Sequence, residues 1–366
     1  MLSKLIKITL ALTTSTILIS CSSGSSNTSA TASSNAYNGP GSKWDVELES
    51  DGNFEITRRD TPQDPIDLTV AGTYERHTSG FLSMTVDSAT GTNAPSQGDT
   101  AWALEVPGYA LLLKPMGDDK IIAMVSSGAC PTEDINANWV VVKQNDGSDA
   151  SDDTKDYFGT FSYVASTGTP SLPSKHALAN GFATVIDGGG LGTGTCTDGL
   201  MLVGTEPDIA AMYLTSTGGA IVQTNINNDA DAQFIFALAQ KEIADIGSIE
   251  GDYAGMLFDD NMADGSSVNP VSFSCDNAGS CTGTLVTDIT TGATSADQVT
   301  VTLNGSPDAL GNGFITGLIS DGGSTPGQLA CMVDINANST EKNIINCVGQ
   351  SPGENTKMFN VMFVSK

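Results

Sequence analysis

Short stretches in which apolar and polar residues alternate recur along nearly the whole chain. Trp44, Val46 and Leu48 alternate with Asp45, Glu47 and Glu49, the pattern of a strand with one buried and one wet face. Seven further stretches, 53–59, 69–77, 80–87, 101–105, 108–114, 120–126 and 138–144, are short, β-branched or apolar, and bounded by Gly, Pro, Asn or Asp. Ser50-Asp51-Gly52 supplies the first hairpin turn. Eight antiparallel strands with short links suit an up-and-down barrel or a sandwich, so residues 43–145 read as a first β module.

The pattern then restarts twice. Residues 146–156 are acidic and lack large apolar side chains, which reads as a linker. A middle module, 157–247, offers strands at 158–165, 181–186, 200–204, 212–215 and 220–226. Over 231–246 the period changes: Ile235, Leu238, Ala239, Ile243 and Ile246 fall at helical spacing, Asp229 or Asp231 can cap and Gly247 can stop the element. A strand over 233–241 would echo 138–144 of the first module, but the Ala, Gln, Lys and Glu content favours a helix, here one that packs or connects modules. A last module, 248–366, has strands at 252–258, 271–275, 281–289, 298–303, 313–320, 328–334, 343–348 and 358–364. The fold class expected is all-β, built of repeated antiparallel meander modules with one helix. Asp134-Ile135-Asn136-Ala137-Asn138 recurs as Asp334-Ile335-Asn336-Ala337-Asn338, each shortly after a cysteine, which points to the first and last modules as duplicates. In strand count alone the first module resembles a lipocalin-type barrel.

The N-terminus is built differently. Lys4 and Lys7 precede a short apolar run, Ile8 to Ile19, diluted by Thr and Ser. A spanning helix needs about 20 mostly apolar residues, so residues 1–20 read as a cleaved signal peptide. Leu18-Ile19-Ser20-Cys21 resembles the lipobox of bacterial lipoproteins. The resemblance covers only these first 21 residues. It implies a diacylglycerol thioether on Cys21, cleavage before it and, with Ser22 next, sorting to the outer membrane. Two or more acyl chains suffice for stable anchoring. Residues 21–42 hold no charge before Ser42 and almost no large apolar residue, and read as a flexible tether.

Charge narrows the partners. The 42 acidic residues all follow the signal, which removes two of the 15 basic ones, so 13 minus 42 leaves −29 on the mature chain. Such a surface repels nucleic acid, and the membrane is reached through the lipid on Cys21 alone. Apart from Cys21, six cysteines remain, as expected of an exported protein with disulfides: Cys130, Cys196, Cys275, Cys281, Cys331 and Cys347. Two short strands around Asp276-Asn277-Ala278-Gly279-Ser280 favour Cys275 with Cys281; Cys331 with Cys347 is the next choice, leaving Cys130 with Cys196. No C-x-x-C spacing occurs and the chain holds only two histidines, so no metal or cofactor is expected.

Catalytic motifs are absent: there is no nucleophile elbow, phosphate loop or zinc-protease helix. His77 falls at a strand end and His176 in a Pro/Ser/Lys loop, where a surface position is the default. The two DINAN copies lack the Gly and Glu that a calcium loop needs at its sixth and twelfth positions, so they read as turns. The functional expectation is a non-enzymatic, lipid-anchored envelope lipoprotein that binds a surface protein, glycan or small ligand, or acts structurally. The alternatives are an envelope hydrolase with paired carboxylates and a calcium-dependent adhesion module.

Overall fold

The computed structural model describes residues 35–366 apart from 62–63, 116–120, 145–148, 186–188, 205–208, 228–232, 242, 244, 260–266, 305–312, 324 and 338–341. The described chain is almost entirely antiparallel β. The first sheet is a closed eight-stranded barrel. Its strands are β1 (Asn35–Asn38), β2 (Trp44–Leu48), β3 (Asn53–Arg58), β4 (Leu68–Arg76), β5 (Leu82–Gly91), β6 (Thr100–Val106), β7 (Ala110–Lys114) and β8 (Ile122–Ser126). Tyr37 opposite Ser126 and Asn38 opposite Val125 close it.

The middle sheet comprises β9 (Ile135–Gln144), β10 (Phe158–Val164), β11 (Thr169–His176), β12 (Cys196–Thr197), β13 (Leu200–Val203), β14 (Ala210–Leu214), β15 (Ala220–Gln223) and β16 (Gln233–Ala239). It is open, in the order β11-β10-β9-β16-β15-β14-β13-β12. The chain leaves one edge after β11, enters the other at β12 and meanders back to close on β9. A second closed barrel follows. Its strands are β17 (Gly251–Asp259), β18 (Ser267–Cys275), β19 (Ser280–Asp288), β20 (Ala293–Leu303), β21 (Ile315–Ser320), β22 (Gly327–Asp334), β23 (Ile344–Ser351) and β24 (Glu354–Ser365).

Burial explains which strands alternate. Along β2 to β5 inward Val46, Leu48, Phe54, Ile56, Leu68, Val70 and Met84 fill the first barrel, and their neighbours face water. Strands β7 and β8 are buried on both faces: Leu111, Leu113, Ile122 and Met124 point in, while Leu112, Ala123 and Val125 join a core shared with the middle sheet. The same holds for β22 to β24, where Cys331, Cys347 and Phe363 point into the last barrel and Met332, Val348 and Met362 into the shared core. A continuous apolar run therefore marks a strand covered on both sides. Between β24 and β9, the fully buried Asn360 donates to Asn346 Oδ1 at 2.9 Å and to Val141 O at 3.5 Å.

Several sequence expectations change. The helix expected over 231–246 does not form: Gln233–Ala239 is strand β16, paired with β9 and β15. Its residues are buried on both faces, so the 3.6-residue match carries no helical meaning; Ile243 lies outside any element and Ile246 opens a 3-10 turn, Ile246–Ile249. Residues 138–144 belong to β9 of the middle sheet, and Asn35–Asn38, assigned above to the tether, takes their place in the first barrel. The acidic 146–156 stretch falls between β9 and β10; there Ala150 is fully buried, donating to Thr356 O and accepting from Gln350 Nε2, both at 3.0 Å. The two barrels repeat as architecture, but DINAN does not mark equivalent places. Its first copy leads into β9, and Asp134 Oδ1 accepts from Ala165 N at 2.9 Å. The second begins at the end of β22 and runs into a turn with Asn336 at φ 53°.

Candidate ligand site in the first barrel

The two ends of the first barrel differ. At one end inward positions carry a polar plug. Ala101, Ala103 and Glu105 alternate on β6, which brings a carboxylate to the end of an otherwise aliphatic row. Glu105 accepts from Tyr37 Oη at 2.7 Å, Asn35 Nδ2 at 3.0 Å and Arg76 Nε at 2.8 Å, and its side chain is 2% exposed. Arg76 reaches in from β4, also donating to Tyr74 Oη at 3.0 Å, and Tyr74 donates to Glu49 O at 2.6 Å. Burial and the neighbouring carboxylate push the Tyr37 phenol far above its ordinary range. The pair is viable at this depth because every oxygen of Glu105 has a donor.

At the other end the barrel opens into a cavity of about 700 Å³. Ile56, Leu68, Val70, Ala101 and Leu113, themselves buried in the barrel core, form its floor, with Trp44, Arg58, Asn93, Pro95, Asp99, Thr100 and Pro115 around the rim. Trp44 and Arg58 face each other across the β2–β3 hairpin, and the guanidinium carbon lies 5.7 Å from the indole centroid. Arg58 is also held by Asp67, with Nη2 to Oδ2 at 2.6 Å and Nε to Oδ1 at 3.3 Å, and Nη2 reaches Thr92 O at 3.2 Å. Those bonds hold the Asp67 carboxyl below its usual range and raise the guanidinium. A barrel mouth of this size with an aliphatic floor and a few oriented polar groups is a place where small ligands bind.

Among the described residues the core of the last barrel is closely packed. Cys275–Cys281 and Cys331–Cys347 bridge facing residues of β18–β19 and β22–β23, inside a core with Tyr253, Phe273, Phe359 and Phe363. The third disulfide, Cys130–Cys196, ties the segment after β8 to edge strand β12. None of these cysteines lines the cavity. Cys21, the lipid-attachment candidate, lies outside the described residues.

The histidines do not meet in one site. His77 Nε2 lies 2.8 Å from Ser83 Oγ, but among the described residues no carboxylate bonds its other nitrogen. His176, expected at the surface, is buried, with Nδ1 3.2 Å from Phe182 O and its ring stacked on Phe158 at 5.0 Å. Among the described residues no group of three or more His, Cys, Asp or Glu side chains is placed to hold a metal ion. In the 149–156 stretch, Asp149 and Asp152 accept from Ser151 and Thr154 in local turns. A second hollow, about 310 Å³, is bordered by Glu47, Glu49 and Asp51, all exposed on the β2–β3 hairpin. Among the described residues no helix is long and apolar enough to cross a membrane.

Sequence reasoning missed Arg58, Asp99, Tyr37, Arg76 and Glu105. One signal was available: Glu105 shares the inward parity of Ala101 and Ala103 in an apolar strand.

No family model matches the chain, nor does any curated protein. Among solved structures, transferrin binding protein B from serogroup B Neisseria meningitidis is similar over 88% of this chain and 65% of its own, at 12% identity and a TM-score of 0.31. A variant of the vaccine antigen transferrin binding protein B from Haemophilus parasuis matches the same shares at 11% identity and 0.30. A protein of unknown function from the DUF3598 family of Nostoc punctiforme matches 64% of this chain and 96% of its own, at 10% identity and 0.23. The chain thus spans 65% of the length of the first two. Resemblance at this level carries no argument about function, which rests on the barrel's own geometry.

Proposed function

We propose that the protein is a non-enzymatic envelope lipoprotein, anchored in the outer membrane through a lipid on Cys21, that holds a small amphiphilic ligand in the mouth of its first barrel. The observation that carries this reading is the contrast between the barrels. One is packed with disulfides and aromatic rings, while the other keeps a cavity of about 700 Å³ at one end and a polar plug at the other. The middle sheet and last barrel then serve as a rigid mount, joined to the first barrel by the shared core.

Two experiments test the reading. Cys21→Ala abolishes metabolic acyl labelling and releases the protein from membranes; continued labelling would exclude the anchor. Thermal melting of the full chain is then compared across amphiphiles, oligosaccharides and Ca²⁺. An amphiphile at a hundred times its Kd stabilises the folded chain by about 2.7 kcal/mol. Ala101→Phe, which fills the cavity, removes the shift. A shift with oligosaccharide or Ca²⁺ and none with amphiphiles would overturn the assignment.

A further inference from the structure

We infer that the guest of the first barrel is a cationic amphiphile: an apolar body on the aliphatic floor and a single amine-type cation at Asp99. The inference rests on the reading of that barrel as a ligand site. Ile56, Leu68, Val70 and Leu113 offer the body no hydrogen-bonding group, so the head group must be selected at the rim.

Among the described residues lining the cavity, Arg58 and Asp99 are the charged ones, and they differ in availability. The Nε and Nη2 of Arg58 are already bonded to Asp67 and to Thr92 O, and the Asp67 carboxylate neutralises its charge. Nη1 keeps its donors, but an anionic head meeting them would share a guanidinium whose charge Asp67 already balances. Asp99 is exposed, and its one local bond takes the backbone N–H of Ser96 at 2.8 Å on Oδ2, leaving Oδ1 for a guest. Lys114 is next to the mouth in sequence, but it follows inward Leu113 and pairs across with Trp102 on the outer face. The formal charge of −27 concentrates cations and repels anions around the whole chain.

The test is a matched series on the full chain: decylammonium, decanol and decanoate, each titrated at low salt by calorimetry. These guests share one apolar body and differ in the head. Decylammonium binds most tightly and decanoate most weakly, about tenfold apart, because an exposed charge contact contributes roughly twofold to fivefold in each direction. Asp99→Asn lowers decylammonium affinity by about twofold to fivefold and leaves decanol unchanged. Raising salt narrows the series. Decanoate binding as tightly as decylammonium, or an amine preference that survives Asp99→Asn, overturns the head-group inference and leaves the ligand site standing. If no member binds, or if Ala101→Phe and Val70→Phe leave all three affinities unchanged, the ligand site itself is overturned.

Discussion

Replacing Glu105 with Gln keeps the shape of the plug and removes its charge. In the native barrel one buried carboxylate accepts from Tyr37, Asn35 and Arg76. Breaking a fully buried ion pair costs about 3–5 kcal/mol. Arg76 is 39% exposed, however, and can turn towards water once released. The remaining penalty falls on the buried Tyr37 hydroxyl and on lost charge-assisted bonds, which places Glu105→Gln at about 2–3 kcal/mol. Glu105→Leu combined with Arg76→Met removes both charges but leaves the buried Tyr37 hydroxyl without its acceptor, and should cost about 1–3 kcal/mol, less than the sum of its singles. Urea unfolding followed by tryptophan emission, completed as a double-mutant cycle, measures all of these. A loss below about 0.5 kcal/mol for Glu105→Gln, or a double variant as unstable as the sum of its singles, would refute the plug.

Lys241 from the middle sheet bonds Asp334 of the last barrel, whose charge acts on the buried Tyr109 of the first, so Asp334→Ala should loosen all three sheets together. With Lys241 41% exposed the loss is about 1–3 kcal/mol, and hydrogen exchange should report it on β7, β16 and β22 alike. Cys130–Cys196 spans 66 residues against 16 and 6 for the other two bridges. In the chain-entropy model its removal by paired alanines costs most, about 4 kcal/mol against about 3 and about 2, which calorimetric melting of the three double variants would rank. Asp288 is held down to about 2 by bonds from Thr290 and Thr291. A depressed carboxyl contributes stability above its unfolded value that is lost as pH falls through about 2, so carboxyl NMR should titrate it there and Thr290→Ala should move it up.

Strands that face water on one side were legible because their alternation is a direct record of burial, as in Trp44 to Glu49 or Asn53 to Thr57. Gln233–Ala239 was not, since a strand buried on both faces has no alternation and its Ala, Leu and Gln also suit a helix. Edge strand β11 was hidden by Pro170 and Pro173, which argue against a strand except at a sheet edge, where β11 lies. The cavity was illegible for another reason. Ile56, Leu68, Ala101 and Leu113 look like ordinary core positions and are buried as such; only barrel closure places them beneath a hollow at the mouth.

The most direct test of the ligand site is a titration of the full chain with N-phenyl-1-naphthylamine, an uncharged dye that brightens in apolar surroundings. One saturable site per chain is predicted, with emission lost on adding decanol and absent in Ala101→Phe. Non-saturable dye uptake, or saturable binding that Ala101→Phe leaves intact, would contradict a ligand site in the first barrel.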